Sequence, residues 1–134
     1  MYFGRLSTRL TALWAFCVFA FFAAVPTGSG AAELIMVERK GCHYCDEWKE
    51  VIGPIYPKTK EGEFAPLRMV NIRQAPPEGV TFARPAVFTP TFILVDEGAE
   101  VARIEGYLGE DLFWSMLTVM LAEHTDFDQS RETE

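Results

Sequence analysis

Beyond residue 32 the apolar positions fall into short blocks whose spacing changes along the chain. Residues 34–38 (Leu-Ile-Met-Val-Glu) form a brief continuous apolar run, which predicts a buried strand, and Gly41 breaks it. From Cys42 the spacing turns helical. Trp48, Val51 and Ile52 stand at i, i+3 and i+4 with Cys45 one turn earlier, and Gly53-Pro54 ends or kinks the helix. Residues 58–63 are polar and read as a loop, with a helical continuation around 55–60 left open. Residues 67–72 read as a second strand. The stretch 73–89 carries Pro76, Pro77, Gly79 and Pro85, which disfavours a long helix. Residues 90–95 are strongly β-prone, and a turn at 96–99 leads into 100–104 as a hairpin. The second arm of that hairpin alternates imperfectly, so its inward face stays open.

After Gly106 and Gly109, Glu110–His124 reads as an amphipathic helix. Leu112, Met116, Val119 and Met120 recur at helical spacing, and Phe113, Leu117 and Leu121 widen the stripe. Residues 125–134 are polar and are expected to fray. Strand, helix, strand, loop, strand, strand, helix is the order of one α/β domain over 33–124, a central mixed sheet flanked by helices.

The first 32 residues differ in kind. They contain no acidic residue; Arg5 and Arg9 precede an apolar run over 10–25, and Pro26, Gly28, Gly30 and Ala31-Ala32 follow. A basic start, a short apolar middle and a small-residue end predict a secretory signal peptide over 1–32, cut before Glu33 or one residue earlier. An uncleaved anchor is the alternative, although the run falls short of the roughly 20 residues that span a bilayer. Cys17 lies inside the run and leaves with the signal. All 19 acidic residues then remain but two of the 12 basic ones are lost, a formal charge of about −9 that argues against nucleic acid.

Two cysteines survive, in Cys42-His43-Tyr44-Cys45. The loop they close is too short to restrain the unfolded chain much, so the pair points to reactivity rather than to a staple. The motif sits where a strand becomes a helix, and there unpaired N–H groups and the helix dipole stabilise a thiolate. Cys42 is therefore the expected nucleophile, with Cys45 resolving the mixed disulfide. His43 tunes the thiolate through its charge or its backbone N–H. Tyr44 shapes the substrate surface. Zinc would need about four ligands, and the surviving chain offers two cysteines with His43 and the distant His124. Copper delivery by Cys42, Cys45 and His43 remains an alternative without turnover, since thiolate and imidazole suit Cu(I).

Cys-His-Tyr-Cys after a strand, with Thr89-Pro90-Thr91 opening a later one, resembles the thioredoxin superfamily. The likeness is closest to small exported thioredoxins, weakly to those of bacterial sulfur-oxidation gene clusters. It implies a single thioredoxin-like domain, with Pro90 as a cis-proline beside the reactive cysteine and Thr89 contacting substrate backbone. Phe92 is expected in the core and Phe88 along the substrate groove. Gly41 stands where many thioredoxins have tryptophan, and His43-Tyr44 replaces Gly-Pro. Met36 occupies the place of the family's buried acid, and Glu38, a strand-end residue, is the nearby substitute. The expected protein is a periplasmic thiol:disulfide oxidoreductase, more reductase than oxidase, monomeric and without a cofactor. It would act on exported protein disulfides and draw electrons from a membrane partner.

Overall fold

The computed structural model describes residues 31–128 and 130. The signal segment, apart from its last two residues, lies outside the described residues together with Cys17, as do residues 129 and 131–134. β1 (Glu33–Glu38) buries all four of its apolar residues because it is an inner strand of the sheet, whose order is β2-β1-β3-β4. It pairs in parallel with β2 (Leu67–Asn71) and antiparallel with β3 (Thr91–Asp96). An unbroken apolar run suits a strand covered on both faces. Leu34 and Met36 join the core beneath the helices, whereas Ile35 and Val37 face the opposite side with Ile93 and Val95. That second face is covered by residues from the Pro-rich stretch, Val80, Phe82 and Ala86 among them, and no helix forms there.

β3 returns as β4 (Ala99–Glu105) through a two-residue turn. Glu97 and Gly98 both adopt left-handed backbone (φ 50° and 79°), the conformation such tight hairpins demand. The imperfect alternation now has a cause. Leu94 pairs with Ala102 but Val95 pairs with Glu100, so Val101 is an extra residue in β4, a bulge. Ala102 and Ile104 thereby share a face with Leu94 and Phe92, under the helices. Glu100 and Arg103, three apart, both face the other way.

Four expectations need correction. In α1 (His43–Val51) the buried side chains are Cys45 and Trp48, continued by Ile52, while Val51 is exposed. At 100° per residue Val51 lies roughly 95° from the centre of that trio. The polar stretch 58–63 is not a loop. A 3₁₀ turn, Tyr56–Lys58, leads into α2 (Lys60–Phe64), whose N-cap Thr59 accepts a hydrogen bond from the Gly62 N–H at 3.1 Å. Gly62 fits there because a Cβ would run into the Tyr56 carbonyl oxygen. In α3 (Glu110–His124) the inward set is Phe113, Leu117, Met120 and Leu121; Leu112, Met116 and Val119 are exposed. Finally, Phe127 is buried with its ring 5.2 Å from that of Phe64, so packing continues past His124.

Candidate redox site

Leaving β1, the chain turns at Gly41, whose φ of 76° is left-handed. No atom crowds a Cβ built there, so conformation rather than space asks for glycine. Cys42 is the N-cap of α1, with extended backbone (φ −87°, ψ 105°), and its Sγ accepts the Cys45 N–H at 3.2 Å. Its own carbonyl accepts from Asp46. Cys42 and Cys45 are joined by a disulfide, their Cα atoms 5.2 Å apart. Cys42 keeps 5% of its surface exposed and Cys45 none, so an approaching group meets Cys42 first.

Beneath the pair the floor is apolar. Trp48 is wholly buried, its ring 5.2 Å from Phe92, 5.4 Å from Phe113 and 6.1 Å from Tyr56. Met36 belongs to the same buried cluster as both cysteines. Glu38 is neither fully exposed nor in the core. It accepts from Lys49 Nζ at 2.8 Å, and Lys49 also reaches Asp46 at 3.0 Å. Hydrogen bonds to Glu38 and Asp46 hold the Lys49 ammonium above its ordinary pKa. His43 stands out in solvent, its Nε2 4.0 Å from Glu47 and its side chain 85% exposed. Tyr44 is exposed beside it, ring centroids 5.5 Å apart.

The Thr89–Pro90 peptide is cis. Val37 pairs with Thr91, so this peptide enters β3 at the end of the sheet where β1 leaves for the Cys42 loop. Pro90 is buried, Thr89 half-buried, Phe88 exposed and Phe92 wholly buried. A third segment, which the sequence reading passed over, reaches the same end. The Gly106 N–H donates to the Pro90 carbonyl at 2.8 Å, and Tyr107-Leu108 follows between two glycines. Tyr107 is buried, and that burial, with the charges of Glu47 and Glu110, raises its hydroxyl above the ordinary value. Leu108 is 82% exposed. The Gly106/Gly109 spacing was the available signal, read only as a helix boundary.

The copper alternative is not favoured. The His43 imidazole points to Glu47 and solvent, and among the described residues no three His, Cys, Asp or Glu side chains gather as a metal-holding group.

No family model matches the chain, and no curated protein gives a significant match. Solved structures do. The periplasmic thioredoxin SoxS of Paracoccus pantotrophus, in its reduced form, is 44% identical with a TM-score of 0.67, over 69% of this chain and 97% of that one. A thioredoxin of Malassezia sympodialis (Mala s 13) is 19% identical with a TM-score of 0.47, over 73% of this chain and 80% of that one, too distant for any inference to rest on it. With a mixed four-stranded sheet, a cysteine pair bonded across the first turn of a helix and 44% identity to a thioredoxin over nearly all of that protein's length, this chain belongs to the thioredoxin family and is a thiol:disulfide oxidoreductase.

Proposed function

We propose that the protein reduces disulfides of exported proteins in the periplasm, with Cys42 attacking and Cys45 resolving. The observation that carries this reading is the Cys42 sulfur at the N-cap of α1, accepting the Cys45 N–H while bonded to the Cys45 sulfur. The Cys42 thiolate attacks one sulfur of a substrate disulfide and expels the other as thiolate. The Cys45 thiolate then attacks the Cys42 sulfur, releasing the second substrate thiol and closing the disulfide seen here. Two electrons pass to the substrate, and a thiol donor on a membrane partner restores them. His43 adds positive charge near the thiolate when protonated. Tyr44, Thr89 and Pro90 meet the substrate.

The periplasmic assignment is supported by the signal-like pattern of residues 1–32 and by the periplasmic origin of the Paracoccus protein. Ala32 is buried in the core, which favours the earlier of the two cleavage points. The reductase direction is tested with the exported domain and a thiol reductant. It is expected to accelerate reduction of insulin disulfides well above the reductant alone. A rate equal to that background would remove the reading.

A further inference from the structure

The Pro-rich stretch 73–89 carries the chain over the second face of the sheet and meets β4 in one isolated parallel bridge, Thr81 with Ala99, so its remaining backbone groups need other partners. In that bridge the Thr81 N–H donates to Gly98 O at 2.8 Å, and its carbonyl accepts from Glu100 N at 2.9 Å. Residues 83–85 find theirs in two side chains of β4. The Ala83 N–H donates to Glu100 Oε2 at 2.8 Å; Arg103 Nη2 donates to the Arg84 carbonyl at 2.8 Å and Nη1 to the Pro85 carbonyl at 3.5 Å. Arg103 also binds Glu100 in a fork, Nε to Oε1 at 2.5 Å and Nη2 to Oε2 at 2.6 Å. Arg84 is tied in turn to Glu105 at 2.8 Å.

Both members of the Glu100–Arg103 pair have side chains only 5% exposed. Burying two charges costs desolvation, and a buried ion pair can often be replaced by apolar side chains with no loss of stability. Geometry is what such a fork does supply. Only the bulge at Val101 makes it feasible, because strand residues three apart otherwise point to opposite faces. Five residues separate the clamped Pro85 from Thr91, where β3 begins. Within that short tether lie the exposed Val87 and Phe88 and the Thr89–Pro90 peptide.

We propose that Glu100 and Arg103 are positioning residues for the cis-proline loop, and that they set the protein's preference for protein disulfides over small ones. This rests on the reading that Thr89 and Pro90 meet substrate backbone. A protein disulfide must lie along that loop to bring its sulfur to Cys42. A small disulfide needs only the sulfur of Cys42.

The test uses the reduced protein and two oxidants, insulin and glutathione disulfide, with second-order rate constants for each and the equilibrium constant against glutathione. In Glu100→Gln/Arg103→Met, which removes both charges together, the insulin rate is expected to fall about tenfold. The glutathione disulfide rate and the equilibrium constant are expected to change less than about twofold, because Cys42 and its helix are untouched. Arg103→Lys keeps the charge without the fork and should fall between; it also serves if the double variant fails to fold. Insulin and glutathione rates falling together, or neither falling, overturns the clamp. Pro90→Ala separates the two readings. If it slows insulin while the clamp variants do not, the clamp alone is wrong; if it does not slow insulin either, the loop reading fails and takes the clamp with it.

Discussion

Replacing Cys45 with serine is expected to stop turnover and to leave the protein covalently attached to its substrates. In that variant Cys42 still attacks, but nothing displaces the captured sulfur, so mixed disulfides persist on non-reducing gels. Cys42→Ser is expected to capture nothing. An alcohol at position 42 is not ionised at neutral pH, and Cys45, with no exposed surface, offers an incoming disulfide no sulfur to reach. Both variants should lose at least about 10³-fold in insulin reduction, as expected when members of one nucleophilic unit are removed. Equal capture by both variants would show that either sulfur attacks, and the assignment of roles would fall.

Trp48→Ala is expected to cost about 3–5 kcal/mol, the usual range when a buried aromatic is truncated. Trp48 is wholly buried one turn beyond Cys45 and packs against three other rings, Tyr56, Phe92 and Phe113. It therefore joins α1 to β3 and α3 in a single contact. In a domain of this size such a loss lowers the melting temperature by roughly 20 °C. Trp48→Phe should cost less than half as much. The indole N–H has no hydrogen-bond partner among the described residues, so the smaller ring gives up area and no hydrogen bond. Differential scanning calorimetry of the two variants checks the ordering. A Trp48→Ala midpoint within a few degrees of wild type would show that this aromatic cluster does not hold the helix to the sheet.

Much of this architecture was legible because its signals are local. The 34–37 run needs two covered faces, and only an inner strand provides them. Cys-x-x-Cys at a strand-to-helix junction and Thr89-Pro90 before a β-prone run are likewise local patterns, and their two segments lie at the same end of the sheet. What stayed hidden depends on contacts distant in sequence. Leu112, Met116 and Val119 fit a helical stripe as well as Phe113, Leu117 and Leu121 do, and only the position of the sheet decides between them. α2 is polar and five residues long, and it stands on the Thr59 cap and on Gly62 beneath Tyr56 rather than on amphipathicity. Glu61 is buried inside that helix, with Thr118 of α3 donating to its carboxylate at 3.3 Å, a pairing across 57 residues. The bulge at Val101 disguised β4 for a related reason. One added residue breaks a period of two, and the same residue brings Glu100 and Arg103 to one face.

The mechanism requires Cys42 to be the ionised sulfur of the reduced protein. Thiolate absorbance near 240 nm, followed against pH in Cys45→Ser, isolates that one group. Helix α1 and the Cys45-position N–H aimed at the sulfur should bring the midpoint well below the roughly 8.5 of an ordinary thiol. A midpoint at or above about 8.5 would mean that the N-cap does not activate the sulfur, and the mechanism built on it would be contradicted.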